Sequence, residues 1–248
     1  MFPRKKFEHV WEGVMTPFRI IGNVYFCGTY PASTHLIDTG DGLILIDPGY
    51  LESAALVVDS IHRLGFDPKD IKYIVNTHWH GDHTGGTAPM VSLTGAKTLI
   101  GEADAAKAQR YFMPADILVR DGDTLTLGNT VIRFVHTPGH TAGTVSLFFD
   151  TEGNGTVWRV GMFGGAGSNT LVPEKYDYPD ARAGYRASLA RLREEKVDVM
   201  LGNHVWNNDT ERKGELLRAT GENRFIDPTL WGKFLDHCRR KLDKLENG

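Results

Sequence analysis

A block of imidazole and carboxylate side chains is the feature of this sequence that most constrains its fold. The segment His78-Trp79-His80-Gly81-Asp82-His83 carries four side chains that can bind a metal ion, and it follows closely on the apolar, β-branched run 71–75. A polar surface loop rarely carries this set of residues at this spacing. The chain is therefore expected to present the segment at a strand end, where distant residues can complete a metal site.

Local geometry predicts two ligand positions within this segment. Side chains two residues apart on an extended chain point the same way, so His78 and His80 are expected to share one ion. Gly81 is expected to let the chain turn sharply, which would direct Asp82 and His83 toward a second position nearby.

Two further histidines occupy matching places in the sequence. His140 follows the β-prone run 130–135 within Gly139-His140-Thr141, and His204 follows the run 197–201. Imidazole suits zinc, and three histidines with an open fourth position are typical of catalytic zinc sites. The two cysteines, Cys27 and Cys238, are too few for a cysteine-rich zinc site or a disulfide framework.

The chain of 248 residues shows no linker or low-complexity stretch, so we expect a single domain over 1–248. Strands, a helix and a strand leading to a metal ligand occur in this order twice, which predicts two mixed sheets with helices outside them. The expected strands are 18–21, 24–27, 35–38, 43–47, 71–75, 124–127, 130–135, 144–149, 156–160 and 197–201, and the expected helices are 51–64, 180–195 and 228–245.

The charge balance limits the kinds of molecule that the chain is expected to bind. With 28 basic and 31 acidic residues the formal net charge is −3, which argues against a nucleic-acid binder or a polybasic membrane anchor. No apolar run approaches the roughly 20 residues that span a bilayer. The first nine residues lack the apolar core of a signal peptide. We therefore expect a cytoplasmic protein with a small-molecule substrate, or a periplasmic or secreted one if a signal peptide has been removed.

Four motifs together resemble the metallo-β-lactamase superfamily, over nearly the whole chain. They are Gly40-Asp41-Gly42-Leu43-Ile44-Leu45-Ile46-Asp47-Pro48-Gly49, the block 78–83, Thr137-Pro138-Gly139-His140-Thr141 and the strand-ending His204. The resemblance implies an α/β fold, the αββα four-layer sandwich, with two metal ions at one edge of the sheets. It also implies a first metal held by His78, His80 and His140, and a second held by Asp82, His83 and His204.

One departure from the superfamily pattern narrows the resemblance. Most members carry a metal-bridging Asp about twenty residues after the third histidine, whereas here the run 157–160 is followed by Gly161-Met162-Phe163-Gly164-Gly165. A second site without that bridge resembles the third subclass of zinc β-lactamases. The resemblance implies two zinc ions, the second held more weakly, and a net positive centre that favours an anionic substrate.

A second departure concerns substrate binding. That subclass carries small hydroxyl residues after this strand, where the present chain has Phe163 and Gly165. The candidate substrate contacts are therefore Ser168, Asn169 and Asn207.

The expected activity is hydrolysis of an amide or ester carbonyl by a metal-bound hydroxide, as in β-lactamases, with Asp82 as the catalytic residue that orients the hydroxide. A lactonase, thioesterase or phosphodiesterase of the same superfamily is the alternative among hydrolases. An iron-dependent persulfide dioxygenase or a di-iron redox enzyme is the alternative of another class, because an all-histidine first site also accepts iron or manganese. A metal-binding protein without catalysis is a further alternative. The sequence does not indicate an oligomeric state.

Overall fold

Residues 9–247 are described by a computed structural model, and twelve strands of this part of the chain form two β-sheets. The strands of the first sheet are Phe18–Ile21 (β1), Val24–Phe26 (β2), His35–Asp38 (β3), Leu43–Ile46 (β4), Ile71–Val75 (β5), Lys97–Gly101 (β6) and Ile117–Val119 (β7). Those of the second are Thr124–Leu127 (β8), Thr130–His136 (β9), Val145–Gly153 (β10), Thr156–Met162 (β11) and Val199–Leu201 (β12).

The α-helices lie between and after these strands. They are Ala54–Arg63 (α1), Gly81–Thr84 (α2), Thr87–Thr94 (α3), Ala105–Tyr111 (α4), Ala181–Leu192 (α5), Thr210–Thr220 (α6) and Leu230–Asn247 (α7). Short 3-10 turns occupy Val10–Glu12, Leu51–Ser53, Pro68–Asp70, Glu102–Asp104 and Pro173–Lys175. Within residues 9–247, none of the helices combines the length and the apolar character needed to cross a bilayer.

Both sheets are mixed, and the order of their strands brings the loops that carry the candidate ligands to one edge. In the first sheet β1 to β7 are neighbours in chain order, antiparallel from β1 to β4 and parallel from β4 to β7. The second sheet has the order β12-β11-β10-β9-β8, with only β11 and β12 parallel. The backbone N–H of Val145 donates to the Thr77 carbonyl oxygen at 2.9 Å, which joins the two sheets beside the segment 78–83.

Three apolar clusters separate four layers. The first lies between the sheets and includes Phe26, Ile44, Phe134 and Phe149. The second packs the outer face of the second sheet against α5 and α7, and the third packs the first sheet against α1 and α3. The predicted αββα sandwich is therefore confirmed, while the single domain over 1–248 stays a prediction that the shared central cluster supports.

The expected strands and the three expected helices form with small shifts of their ends. The interpretation that the first nine residues lack the core of a signal peptide falls almost entirely on residues 1–8, which lie outside the described residues. The extended chain expected at His78 and His80 does not form, because β5 ends at Val75 and residues 77–79 form a bend. Six elements were not predicted from the sequence, since they are short or carry weak apolar periodicity: β6, β7, α2, α3, α4 and α6.

The central cluster generates a stability prediction. Phe149 on β10 is 1% exposed and packs between the sheets. Phe149→Ala should lower the free energy of unfolding by about 3–5 kcal/mol, because it removes buried apolar surface and leaves a cavity. Urea denaturation would measure the loss. Val157→Ala is the matched control, since Val157 is 62% exposed on the neighbouring strand and should change stability little. Equal effects of the two substitutions would contradict this account of the core.

Candidate metal centre

Three histidines from two segments form the first group of ligand atoms. One nitrogen from each of His78, His80 and His140 lies within 4.8 Å of the others. Nδ1 of His80 and Nε2 of His140 are 2.9 Å apart. Two nitrogens bound to one tetrahedral zinc at about 2.0–2.1 Å would be separated by a similar distance, roughly 3.3 Å.

The second group lies directly beside the first. Ligand atoms of His78, Asp82 and His83 also fall within 4.8 Å of one another. His204 approaches from the loop after β12, with its Nε2 at 3.7 Å from Asp82 Oδ2 and its ring centroid at 5.0 Å from that of His83. The fold thus brings all six candidate ligands to one place, although they come from three distant segments.

The local structure of the block differs from the predicted turn at glycine. Gly81 opens the single-turn helix α2, and this turn places Asp82 and His83 beside His78. A Cβ at Gly81 would lie 3.1 Å from the Phe112 ring, so the residue is small because an aromatic ring packs over it. The correction is that helix formation, and not a glycine-specific turn, directs Asp82 and His83 to the site.

The buried carboxylate of Asp47 organises both groups. Asp47 follows β4, is fully buried and has φ of +51°, in the left-handed region that aspartate tolerates better than most residues. Its Oδ1 accepts the backbone N–H of Thr77 at 2.7 Å, and its Oδ2 accepts the Thr77 hydroxyl at 2.7 Å and Nδ1–H of His83 at 2.9 Å. The carboxylate therefore fixes one ligand directly and holds the segment that carries the others.

These hydrogen bonds determine which nitrogens remain available. Because the Thr77 hydroxyl gives its proton to Asp47, the His78 Nδ1–H donates to Thr77 Oγ1 at 3.0 Å. The Nε2 atom of His78 is buried without a hydrogen-bond partner among the described residues, and Nε2 of His83 lies 3.3 Å from Asp82 Oδ2 without forming a hydrogen bond. A buried nitrogen without a partner is costly unless it binds a ligand. The residues present therefore fit a metal ion at this site.

His140 is oriented by a glycine-rich segment. Its Nδ1–H donates to the Gly167 carbonyl oxygen at 2.8 Å, which leaves Nε2 directed at His80. A Cβ at Gly164 would lie 2.0 Å from the Val145 carbonyl oxygen, and a Cβ at Gly165 would lie 2.9 Å from the His140 Cβ. The backbone after β11 passes so close to the site that these positions accept no side chain.

Burial keeps most of the imidazoles neutral. It lowers the pKa of His80 to about 4, of His140 to about 3 and of His204 to about 4. Burial also disfavours a charge on His83, but the carboxylates of Asp82 and Asp47 outweigh it and raise the pKa of His83 to about 10. The pKa of Asp82 is lowered despite its burial, because His83 and the other imidazoles stabilise the carboxylate. Neutral imidazoles and an ionised carboxylate are the forms that bind metal ions, so a metal ion bound to His83 would displace the proton from its Nε2.

Two further carboxylates, which the sequence analysis missed, join the ligand-bearing loops. Asp104 accepts hydrogen bonds from the Trp79 backbone N–H at 3.1 Å, the Thr141 hydroxyl at 2.7 Å and the Gly143 backbone N–H at 2.6 Å. Asp177 accepts the indole N–H of Trp79 at 3.0 Å and the backbone N–H of Ala142 at 2.7 Å. Both carboxylates therefore fix the positions of His80 and His140 relative to each other, although neither carboxylate is a candidate ligand.

A cavity of about 610 Å³ opens beside Asp82 and His204. Ser168, Asn169 and Asn207 line it, as expected of substrate contacts, but their role stays a prediction. Phe163 does not reach the cavity, because its buried ring packs against Tyr185 with centroids 5.6 Å apart. The remaining lining residues were not predicted from the sequence, and they are Tyr50, Ala166, Gly167, Trp206, Leu230, Lys233, Phe234, His237, Cys238 and Lys241.

The two-sheet fold and the cluster of histidines and aspartate point to one superfamily of metal-binding proteins. The sequence matches the family model of the metallo-β-lactamase superfamily over residues 27–204, and the chain belongs to that superfamily. The resemblance inferred from the motifs is thereby confirmed.

Solved structures of subclass B3 metallo-β-lactamases are similar over nearly the full chain. BJP-1 of Bradyrhizobium japonicum is 30% identical with a TM-score of 0.88, and the match covers 96% of each chain. FEZ-1 from Legionella gormanii is 29% identical with a TM-score of 0.87, over 94% of this chain and 98% of FEZ-1. The di-zinc enzyme LRA-12 from an Alaskan soil metagenome is 29% identical with a TM-score of 0.84, over 94% and 95% of the two chains.

Curated relatives of other activities match shorter parts of the chain. An N-acyl homoserine lactonase from Bacillus sp is 29% identical over 156 residues, which are 51% of this chain and 61% of the relative. A hydroxyacylglutathione hydrolase from Methylococcus capsulatus is 36% identical over 117 residues, or 44% and 43% of the two chains. The chain thus spans less than two thirds of the length of these relatives.

The geometry of the first group predicts the effect of removing one ligand. His140→Ala should abolish most metal binding by that group, because only two of its three imidazoles remain. Elemental analysis of the dialysed protein would measure the bound metal. His62→Ala is the control, since His62 lies on the exposed face of α1 and should leave the metal content unchanged. Full metal content in the His140 variant would show that this residue is not a ligand.

The role assigned to Asp47 predicts a second effect. Asp47→Asn should weaken metal binding about 10–100-fold, because an amide cannot accept all three hydrogen bonds and no longer fixes the His83 tautomer. Competition with a chromophoric chelator would measure the affinity. Asp41→Asn, in the exposed turn before β4, should bind metal as the unmodified chain does. An unchanged affinity in the Asp47 variant would mean that the hydrogen bonds do not tune the site.

Proposed function

We propose that this chain is a zinc-dependent hydrolase that acts on an amide or ester carbonyl of a small anionic molecule, as β-lactamases do. The observation that carries the proposal is the bare backbone at Gly164 and Gly165, where the close contacts leave no room for a bridging carboxylate. Asp82 is then the one carboxylate among the six candidate ligands. The full-length likeness to subclass B3 enzymes supports the same assignment.

The proposed ligand sets follow the two groups. His78, His80 and His140 would hold one zinc ion, and Asp82, His83 and His204 a second and weaker one. Bound zinc supplies a Lewis acid that lowers the pKa of a coordinated water to about 7 and polarises a carbonyl oxygen. Because one carboxylate cannot neutralise two divalent ions, the centre stays positive and favours an anionic substrate.

The side chains around the cavity would orient the attacking water and bind the substrate. Asp82 lines the cavity, its side chain is 25% exposed, and its Oδ2 can accept a hydrogen bond from the attacking water and direct the oxygen lone pair at the carbonyl carbon. Ser168, Asn169 and Asn207 line the same cavity and can donate hydrogen bonds to a substrate carboxylate. His204 stacks on Trp206 with centroids 4.4 Å apart, which keeps its ring facing Asp82.

A lactonase is the second candidate. The match to N-acyl homoserine lactonases favours it, as does the apolar part of the cavity lining, Ala166, Leu230 and Phe234, which could accept an acyl chain. The test described next also distinguishes three further activities, which are thioester hydrolysis, phosphodiester hydrolysis and iron redox chemistry.

The test combines metal analysis with a substrate panel. Protein purified without added metal is analysed for its elements and assayed with nitrocefin, N-hexanoyl homoserine lactone, S-lactoylglutathione and bis(p-nitrophenyl) phosphate. We expect zinc, at more than one ion per chain after zinc addition, and fastest turnover of nitrocefin. Faster turnover of the neutral lactone would favour the second candidate. Iron with visible absorption and no hydrolysis would refute the proposal.

The role of Asp82 predicts a large kinetic effect. Asp82→Asn should lower kcat by about 10²–10⁴-fold, because the amide accepts a proton from water poorly. Rates are compared per bound zinc, since Asp82 is also a candidate ligand, and circular dichroism checks that the fold is retained. Asp59→Asn, on the exposed face of α1, is the control and should keep the normal rate. A normal rate in the Asp82 variant would remove this carboxylate from the mechanism.

A further inference from the structure

The terminal helix α7 presents a stripe of basic side chains to the cavity beside the metal centre. Lys233, His237 and Lys241 line that cavity together with Asp82 and His204. Their spacing of four residues places them on one side of the helix, and eight residues at 1.5 Å each extend the stripe over about 12 Å. We call these three residues the basic stripe.

Charges are segregated around α7. On the other flank of its buried face, Asp243 and Glu246 pair with Arg186 of α5, and Asp236 pairs with Arg193. The acidic side chains of the helix therefore pair with an arginine of α5 and with the arginine that directly follows α5. The basic stripe faces the cavity without them.

Few carboxylates lie near the basic stripe to neutralise its positive charge. Within residues 9–247, neither Lys233 nor Lys241 takes part in an ion pair, and Asp82 is the one carboxylate that lines the cavity. Lys233 donates to the Thr229 hydroxyl at 2.9 Å and interacts electrostatically with Asp227. Burial and then Lys241, Arg240 and Lys244 lower the pKa of His237, which shows that cations dominate its surroundings.

Apolar side chains lie along the same stretch of helix. Leu230, Phe234 and Cys238 also line the cavity, next to the stripe. A ligand that extends from the metal centre along α7 would thus meet apolar contacts and lysine ammonium groups together.

We propose that Lys233 and Lys241 form an anion subsite that selects substrates with a second carboxylate, remote from the reacting carbonyl and adjacent to an apolar group. The cavity volume of about 610 Å³ is within the range of sites for small molecules. This inference rests on the proposed hydrolase function and adds to it the class of substrate.

A matched pair of substrates isolates the second carboxylate. Carbenicillin is benzylpenicillin with one additional carboxylate on its side chain. The unmodified enzyme should prefer carbenicillin in kcat/KM, and the double variant Lys233→Gln/Lys241→Gln should lower this preference about three- to tenfold. Raising the sodium chloride concentration should weaken the preference of the unmodified enzyme in the same direction.

The control variant removes a charge from the opposite flank of the helix. Arg239→Gln changes the net charge of α7 without altering the cavity lining, so it should keep the preference for carbenicillin. An unchanged preference in the double variant, or equal losses for the two penicillins, would overturn the proposal.

A binding measurement separates this proposal from that of hydrolysis. Calorimetric titration of the zinc-loaded protein with glutarate and pentanoate compares a dicarboxylate with a monocarboxylate of equal chain length. The double variant should lose affinity for glutarate about three- to tenfold and show a smaller change for pentanoate. This result with no turnover of either penicillin would refute β-lactam hydrolysis and leave the subsite standing. Equal affinities in the variant and the unmodified protein would refute the subsite.

Discussion

The buried carboxylate of Asp47 is the interaction on which the arrangement of the metal centre depends. It accepts three hydrogen bonds, two from Thr77 and one from His83, and thereby joins the ends of β4 and β5. A buried charge costs several kcal/mol unless it is fully hydrogen-bonded. The carboxylate is therefore stable only when Thr77 and His83 occupy their observed positions, and those positions place the imidazoles of His78 and His83 within the cluster of candidate ligands.

Asp104 and Asp177 extend the same principle to the loop of His140. Each accepts hydrogen bonds both from Trp79 and from the segment 141–143, so each bridges the two segments that supply the first group. Three carboxylates outside the ligand set thus position ligands from separate parts of the chain. Such outer hydrogen bonds preorganise a site, because the ligands need little rearrangement when an ion binds.

Features marked by a local residue pattern could be predicted from the sequence, whereas features created by contacts between distant segments could not. The candidate ligands were found because their residue types are specific and because each follows a strand. Asp47 could not be distinguished from a turn aspartate before Pro48-Gly49, and Asp104 has no local signal, since its partners are brought to it only by the fold. The apolar face of α7 was predicted from its periodicity, but which of its polar flanks faces the cavity depends on how the helix packs against α5.

Two unrelated features give the cavity the same electrostatic character. At the metal centre, the contacts of Gly164 and Gly165 with Val145 and His140 exclude a side chain, so no carboxylate can enter from that backbone. Along α7, the acidic residues pair with arginines at and just after the end of α5, and two lysines lie on the side of the cavity. Because the first feature is set by backbone packing and the second by helix docking, surface substitutions elsewhere would leave both intact. The proposed preference for anions would therefore be a property of the fold around the cavity as much as of the candidate metal ligands themselves.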